Sequence, residues 1–478
     1  MNPLPIVGPA YTARSKFFDA SRCVNLYAEG SGSGLSKAIA MLIGTPGLLL
    51  WATLAGPGGV RGMLRFSAAQ AVVVVGANVY SVSINGNPTL LGTIDFLATP
   101  VSMASNGTLV MLVTGPNGFA IDPVRGTVTQ ITDPNFLGAD RVDYIDGYFI
   151  FNQPGTEKFQ ITGLLTDTID PLDFASAEGS PDLLISLIVD HLEAWLFGEN
   201  STEIFFNSGN NDFPFERIQG AFIPQGIAAK NSPARFGGSV GWLTRNEAGQ
   251  GMVVKTQGYT PVRISTHAVE YAIAQYSSID DAIGLAYQAE GHEFYVLIFP
   301  TGNATWVYDN TTQLWHERAW RDPSNGTLNR IRPNAVMAYA NEIIVGDWQN
   351  GNLYIYDLDT FSDNGDPLPA IRQVPHAASA DNSWQFFHKV WLDMEVGVGI
   401  NGTGQGSDPQ VMLSWSDDGG YTFPVELMAP AGKIGERRRR VNFRRLGKSR
   451  DRVFRITITD PVKRIIIGGG AEVDGGSA

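Results

Sequence analysis

Residues 143–151 read DYIDGYFIF and are followed by TEKF at 156–159; both segments have a counterpart downstream, DHLEAWLF at 190–197 and TEIF at 202–205. Each copy has the pattern of a strand, a tight turn and a second strand. Similar units recur at intervals of 37 to 53 residues, centred on Val73, Val110, Tyr148, Trp195, Trp242, Tyr295 and Ile344. One four-stranded propeller blade has about this length. The repeat predicts a β-propeller of about seven blade-like units, and an array of two-sheet sandwiches is the alternative.

Turn signals elsewhere in the chain agree with a fold made of short strands. Asn-Gly or Asp-Gly pairs begin at Asn85, Asn106, Asn117, Asp146, Asn350, Asn364 and Asn401. Both residues of such a pair tolerate the positive φ that a type I′ hairpin turn requires. Long amphipathic helical patterns are hard to find, so we expect an all-β protein.

The composition of the chain changes twice and divides it into three predicted parts. Residues 1–54 are expected to form an N-terminal extended arm, with GSGSG at 30–34 as a flexible link. Residues 55–372 contain the repeat and are expected to form the propeller. Longer strand patterns follow, and they predict a C-terminal β-sandwich-like domain with basic strands over 373–478.

Charge is distributed unevenly along the chain. The net charge is −13, which argues against a nucleic-acid binder that acts through bulk electrostatics. Between Lys433 and Arg464, however, 13 Lys or Arg stand against three acids, a local net charge of +10, which leaves −23 on the remainder. The chain therefore combines an acidic body with a basic C-terminal segment.

Three interpretations of this basic segment remain open: a solvated basic face, docking onto an acidic protein surface that includes neighbouring copies, and contact with DNA phosphates. Its charges alternate with apolar residues such as Val441 and Phe443, which is typical of strands with one basic face. We favour docking, because the chain carries its own complementary charge. The predicted subunit or adaptor docking residues are Arg437, Arg438, Arg439, Arg440, Arg444, Arg445, Arg450 and Arg452.

The segment SDDGGYTF at 416–423 fits the Asp-box pattern S-x-D-x-G-x-T-[WF]. In such a turn the Ser416 and Asp418 side chains accept hydrogen bonds from nearby backbone N–H groups. We expect Gly420 to relieve backbone strain and the aromatic ring of Phe423 to pack against the sheet below. The pattern predicts a structural hairpin turn with no catalytic role.

Motifs of catalytic or metal chemistry have weak support. GGSVG at 237–241 matches a nucleophile elbow, but strand patterns follow Ser239 where that motif needs a helix. The six histidines lack metal-ligand spacing, and Cys23 is the only cysteine, so neither an intramolecular disulfide nor a cysteine metal cluster can form. The longest apolar stretch, 38–50, is broken by glycine and proline and is too short to span a bilayer. We expect a protein that is not an enzyme, has no cofactor or metal, and does not enter a membrane.

Five segments together resemble one known family. RCVNLY at 22–27 and GTPGL at 44–48 resemble the opening of the packaged-DNA stabilisation proteins of short-tailed (podovirus) bacteriophages. WSDDGG at 415–420, RRLG at 444–447 and RDRVF at 450–454 resemble the end of the same proteins. Their order, their separations and the total length extend the resemblance over essentially the whole chain.

The resemblance implies a tail hub, or nozzle, present in six copies below the portal and its adaptor, the head-to-tail connector ring. Such a protein extends the portal channel, helps to retain packaged DNA, and offers surfaces to tailspikes or tail fibres and to a tail needle. It implies no catalytic residues, a location in the virion tail, and assembly in the cytoplasm of the host bacterium. We expect phage DNA to pass through a lumen lined by acidic propeller residues without specific binding, while the basic strands make subunit or adaptor contacts.

Two other functions remain open. One is a propeller-type carbohydrate-binding or glycan-cleaving protein of the host surface, and the other is a host-encoded propeller scaffold. Glycan binding or sugar release would favour the first, whereas ring-shaped oligomers would favour the tail hub.

Overall fold

The computed structural model describes residues 2–177 and 179–475. In this part of the chain nearly all regular structure is strand, and the helix α1, His267–Ile273, is the exception. The strands that precede the first blade are β1 Asn2–Pro3, β2 Tyr11–Thr12, β3 Ala20–Val24, β4 Leu26–Gly30, β5 Ala40–Gly44 and β6 Gly47–Thr53.

Six blades follow, each an antiparallel sheet of four consecutive strands. Blade 1 comprises β7 Val60–Arg65, β8 Gln70–Val75, β9 Asn78–Ser83 and β10 Pro88–Thr93. Blade 2 comprises β11 Ser102–Ser105, β12 Val110–Val113, β13 Gly118–Asp122 and β14 Thr127–Gln130. Blade 3 comprises β15 Val142–Ile145, β16 Tyr148–Asn152, β17 Lys158–Ile161 and β18 Phe174–Ser176. Blade 4 comprises β19 Leu184–Asp190, β20 Glu193–Gly198, β21 Thr202–Asn207 and β22 Phe215–Arg217. Blade 5 comprises β23 Ala234–Phe236, β24 Ser239–Arg245, β25 Gly251–Gln257 and β26 Thr260–Arg263. Blade 6 comprises β27 Ile283–Ala289, β28 His292–Phe299, β29 Ala304–Asp309 and β30 Leu314–Glu317.

The two copies of the sequence repeat form equivalent hairpins. Ile145 pairs with Tyr148 and Asp190 pairs with Glu193, so each hairpin has a two-residue turn. The first turn is Asp146-Gly147, with φ of 48° and 97°, and the second is His191-Leu192, with φ of 49° and 62°. A type I′ turn needs positive φ at both positions. The second copy therefore adopts the same turn with two non-glycine residues, for which positive φ costs more conformational energy than for an Asp-Gly pair.

The ring of blades is completed by a sheet of mixed origin, which we name the closing sheet. After the short strands β31 Trp320–Arg321 and β32 Leu328–Asn329, the strands β33 Pro333–Tyr339, β34 Glu342–Asp347 and β35 Asn352–Asp357 pair in order. The N-terminal strand β6 then adds antiparallel to β35, and β33 contacts β7 of blade 1. Apolar side chains of blade 1 and the closing sheet, such as Val73 and Ile344, share one buried cluster.

The prediction of about seven consecutive blade units is therefore corrected: the structure has six blades built from consecutive strands. The unit predicted around Ile344 supplies only three strands, and its fourth comes from the other end of the chain. An open ring would leave strand edges exposed, and pairing the first part of the chain with the last propeller strands covers such an edge. Close packing accompanies this closure, since a Cβ on Gly47 would lie only 2.3 Å from the backbone oxygen of Thr360.

The C-terminal domain is a sandwich of two sheets. Two short strands, β36 Ser362–Asp363 and β37 Asp366–Pro367, lead into it. The strands that follow are β38 Ala370–Gln373, β39 Ala377–Ala378, β40 Gln385–Met394, β41 Gln410–Ser416, β42 Val425–Pro430, β43 Val441–Arg444, β44 Lys448–Ser449, β45 Asp451–Ile458 and β46 Ile465–Gly475. One sheet has the order β4-β5-β46-β40-β43, and the other runs β3-β38-β45-β41-β42. The expected all-β class, with a propeller and a C-terminal β-sandwich, is confirmed.

The sequence predicts an extended arm over residues 1–54, whereas most strands of this segment are built into the sandwich. β1, β4 and β5 belong to one of its sheets, β2 and β3 to the other, and β6 to the closing sheet. The physical reason is burial: Val24, Leu26 and Leu42 are fully buried, and the last two share the sandwich core with Phe454.

The segment 22–27 joins the propeller to the sandwich. β3 forms one parallel pair with β30 of blade 6 and an antiparallel ladder with β38. Arg22 makes a two-pronged ion pair with Glu317 at the end of β30, at 2.8 and 2.6 Å. Asn25, 1% exposed and at φ 53°, donates from Nδ2 to the carbonyl oxygens of Ala319 and Pro369 at 2.8 and 2.9 Å. It also accepts at Oδ1 from the Ala319 N–H, so one side chain hydrogen-bonds to segments of both domains.

We expect Asn25→Ala to lower the free energy of unfolding by roughly 2 to 4 kcal/mol, because buried polar groups lose their partners and alanine tolerates positive φ poorly. Asn25→Gly separates the two causes, since it removes the hydrogen bonds but accepts the φ. Urea unfolding midpoints measure both variants. Equal midpoints for wild type and Asn25→Ala would contradict this role.

Asp363, in β36, is a buried carboxyl at the joint between the closing sheet and the sandwich. Burial of the carboxyl group raises its pKa to about 7, although the positive charges of Arg332 and Arg464 oppose the rise. Arg464 is itself 1% exposed, and its Nη1 donates to the carbonyl oxygen of Leu368. Asp363 therefore binds its proton more tightly in the folded protein than in the unfolded chain.

Because the folded-state pKa is raised above the unfolded value of about 4, the stabilising contribution of protonated Asp363 is complete below pH 4 and is lost as the pH rises through 7. We expect Asp363→Asn, which stays neutral, to unfold at higher urea than wild type at pH 8 and to show a weaker fall in midpoint from pH 5 to 8. Asp359→Asn, an exposed neighbour, controls for the change in net charge. Parallel pH profiles for wild type and Asp363→Asn would disprove the assignment.

Candidate docking surface of the C-terminal domain

The basic segment predicted from the sequence lies on one side of the sandwich, in the loop between β42 and β43 and along β43 and β44. We call its exposed members, with one addition from β40, the basic surface. These residues are Lys389, Arg437, Arg438, Arg439, Arg440, Arg444, Arg445, Lys448 and Arg450. The structure thus brings together seven of the eight arginines predicted for docking.

Strand pairing explains why these charges share a face. Lys389 of β40 pairs with Arg444 of β43, and Phe386 of β40 pairs with Lys448 of β44. Partners in an antiparallel pair point to the same side of the sheet. A β-bulge between Phe387 and Lys389 shifts the alternation by one residue, so that Phe387 and Val390 of β40 both lie in the core. Each strand therefore presents its cations outward while its apolar residues anchor it.

Aromatic rings accompany the cations. The ammonium of Lys448 and the guanidinium of Arg450 lie 4.7 and 5.1 Å from the ring centroid of Trp384. Phe386 is 41% exposed beside them. Contacts of this kind hold long basic side chains in place at modest energy, and exposed aromatic and arginine side chains are enriched in protein interfaces.

The arginine run 437–440 is the most solvated part of the basic surface. The Arg437 side chain is 73% exposed and reaches Glu395 only at 4.0 Å. Within the described residues, Arg438, Arg439 and Arg440 have no ion pair within 4.0 Å. Their charges are therefore free to act on another molecule.

Arg452 is the predicted docking residue that lies elsewhere. It is 2% exposed and pairs with both carboxylate oxygens of Asp417, at 2.6 and 2.7 Å. Its Nη1 donates to the backbone oxygen of Leu446 at 2.6 Å, and its guanidinium lies 4.8 Å from the Phe387 ring. A side chain with these partners inside the chain holds the 444–450 loop against the Asp-box turn and is not available to a partner, so the docking prediction does not extend to Arg452.

Two shallow depressions mark the basic surface. One, of about 480 Å³, is lined by aromatic and basic residues that include Phe386, His388 and Arg445. The other, of about 300 Å³, is lined by Lys389, Trp391 and Arg440, and by Asp393, whose carboxylate pairs with Lys37 at 2.5 Å. Open grooves lined by cations and ring faces suit carboxylates of another protein surface. Lys389 and Trp384 were missed in the sequence because they lie 45 residues or more before the arginine run, and only the pairing of β40 with β43 and β44 reveals them.

The Asp-box residues form the turn between β41 and β42. Ser416 Oγ accepts from the Gly420 N–H at 2.7 Å, and Asp418 accepts from the N–H groups of Tyr421 and Thr422 at 3.0 Å. Hydrogen bonds from Ser416 and Thr422 hold the pKa of Asp418 well below its usual range. Gly420 takes φ 89°, which favours glycine.

Phe423 follows this turn and packs against a charged neighbour. Its ring lies 3.7 Å from the guanidinium of Arg455 on β45, and its side chain is half-buried. The aromatic residue therefore covers the outer side of the sheet at the foot of the hairpin.

The other motifs considered in the sequence fall in strands. Ser239 begins β24, and its hydroxyl hydrogen-bonds the hydroxyl of Thr256. His292 and Asp309 form a buried pair at 2.8 Å within blade 6. Across the residues that the structure describes, no group of three metal-ligating side chains occurs. No helix in the same residues is long and apolar enough to cross a membrane.

No curated protein matches the chain. Among solved structures, it is similar to the WD40 β-propeller domain of Doa1, at 13% identity over 65% of this chain and 96% of that chain, with a TM-score of 0.38. It is also similar to the N-terminal domain of Nup159, at 11% identity over 70% of this chain and 98% of that chain, with a TM-score of 0.41.

Two family models match nearly the whole chain. Residues 2–361 match the β-propeller of bacteriophage P22 Gp10, and residues 372–474 match the β-sandwich of the same protein. The order of the two matches is the order of propeller and sandwich in the structure. The chain therefore belongs to the bacteriophage P22 Gp10 family, structural tail proteins that form the tail hub or nozzle of short-tailed phages.

Proposed function

We propose that this protein is one subunit of a six-membered tail hub that docks through the basic surface onto acidic protein, either a neighbouring copy or the adaptor ring of the head-to-tail connector. The observation that carries the proposal is the set of exposed arginines without ion pairs in the described residues, on a chain whose net charge is −13. Complementary charge on two surfaces accelerates their association and selects the partner.

In this hub the propeller and the C-terminal domain have different roles. The propeller, over residues 55–372, carries most of the acidic excess, and the C-terminal domain, over 373–478, carries the basic surface. In a ring of copies, acidic propeller residues that face the lumen repel DNA phosphates, so that the genome passes without adhering. The hub would extend the portal channel, retain packaged DNA and offer further surfaces to tailspikes or tail fibres and to a tail needle. We place it in the virion tail after assembly in the host cytoplasm.

We expect the double variant Arg437→Glu with Arg438→Glu to lose ring formation or adaptor binding, with an affinity at least about 100-fold weaker, because two exposed charges change sign at the interface. Analytical ultracentrifugation and negative-stain images of the full chain, alone and with the purified adaptor ring, measure this loss. Raising salt from 50 to 300 mM should weaken wild-type docking and affect the variant little.

Arg65→Glu with Arg125→Glu is the matched control, since both arginines are exposed on the propeller and the change in net charge is identical. This control should assemble like wild type. Arg452→Met provides a second comparison: it should lower the unfolding midpoint, whereas the surface variant should leave it unchanged. Normal rings and adaptor binding by the Arg437/Arg438 variant would refute the proposed docking role.

A further inference from the structure

The axial channel of the propeller contains a cavity of about 360 Å³ at the centre of the ring. The inner strands that line it belong to blades 1 to 6 and the closing sheet. Four of its polar residues lie at or just before the start of an inner strand: Arg61 in β7, Arg141 before β15, Asn231 before β23 and Asn334 in β33. They therefore surround the same end of the channel from separate sheets.

Positive charge predominates in this cavity. Its charged lining residues are Arg61, Arg141, Arg235 and Asp143. The Asp143 carboxylate is already engaged, since it accepts from the Arg235 guanidinium and, at 2.8 Å, from the Val189 N–H. Arg61 is 4% exposed and directs its donors to backbone oxygens, among them that of Thr99 at 2.8 Å. The lining thus carries two guanidinium charges more than its single carboxylate offsets.

Among the arginines of this cavity, Arg141 has the fewest hydrogen-bond partners within the described residues. Its Nη1 donates to Asn231 Oδ1 at 3.3 Å, and its Nε is buried without a hydrogen-bond partner in the described part of the chain. Burial lowers the pKa of this guanidinium, with Arg235 adding to the effect. The Arg141 side chain is half-buried, and its unsatisfied Nε costs free energy that the charge of an anion bound at the cavity-facing side of the guanidinium would offset in part.

The position of Arg141 is fixed by its surroundings. The backbone N–H of Arg141 donates to the buried Asn152 Oδ1 at 2.7 Å. The preceding Asp140 receives an ion pair from Lys230 at 3.0 Å, and Lys230 in turn accepts at its backbone oxygen from Ser186 at 2.7 Å. Blades 3 and 4 and the segment before blade 5 are therefore tied together around the cavity, which makes the site preorganised.

We propose that the axial channel of the propeller binds a small phosphate-type oxyanion, held by the Arg141 guanidinium and the Asn231 side-chain amide in the positive field of Arg61. A guanidinium presents parallel N–H donors that match two oxygens of a tetrahedral anion, and an amide NH₂ adds a neutral donor. The cavity volume admits such an ion with bound water, whereas a nucleic-acid duplex is too wide for it. This site is independent of the basic surface of the sandwich.

Inorganic phosphate, titrated into the full-length protein against sodium chloride at constant ionic strength, tests the proposal. We expect phosphate to raise the thermal unfolding midpoint of wild type by about 2 °C or more at tens of millimolar. Isothermal titration calorimetry should show a single site. In Arg141→Gln both signals should fall at least about fivefold, whereas Arg125→Gln, which removes an exposed arginine from a turn of blade 2, should keep them.

Asn231→Leu serves as a second variant should Arg141→Gln fail to fold, and it should weaken phosphate binding while Arg61 and Arg141 remain. A short single-stranded oligothymidylate distinguishes the source of the phosphate, and we expect it to give no Arg141-dependent signal. The proposal is overturned if phosphate acts no differently from chloride on wild type, if the folded site variants retain the full effect, or if the oligonucleotide binds through Arg141.

Discussion

One buried asparagine and the strand before it set the relation between the two domains. Asn25 donates to Ala319, just beyond blade 6, and to Pro369, just before the sandwich, while β3 pairs with strands of both. Because these hydrogen bonds lie inside a buried joint, bending the domains apart would expose or orphan several polar groups at once. The two domains consequently share a continuous sheet, which runs from β30 of blade 6 through β3 to β38.

Arginine serves three different purposes in this chain, and burial separates them. Arg437 and its neighbours are solvated and available to another molecule, Arg452 is enclosed with Asp417 and holds a loop, and Arg141 is half-buried with no ion pair within 4.0 Å among the described residues. The energetic logic differs in each case. A surface charge costs little and acts on partners, an enclosed ion pair fixes geometry, and a half-buried guanidinium without an ion pair keeps donors for an anion.

The sequence predicted the all-β class and the propeller with its following sandwich, because turn chemistry and the spacing of apolar strands are local properties that survive in any context. The family was indicated separately, by the resemblance of five short segments. DYIDGYFIF and DHLEAWLF did form equivalent hairpins. Pairing between distant segments leaves no local signal, which is why β6 was placed in an arm and the blades were overcounted. The same limit applies to the site. The arginine run was visible, but the burial of Arg452 and the contribution of Lys389 depend on which strands become neighbours.

The order of strands in the sandwich has a consequence for how the protein is made. β1 to β5 leave the ribosome before the six blades, yet their partners β38 and β46 are synthesised after all six blades. Domains usually fold in the order of their synthesis, but here apolar strands that precede the propeller must wait for β38 and β46. A chain released early would keep Leu26 and Leu42 without a core to enter, a state that cellular chaperones and proteases recognise. Pairing β1 and β5 with β46 thereby makes completion of the sandwich depend on synthesis of β46.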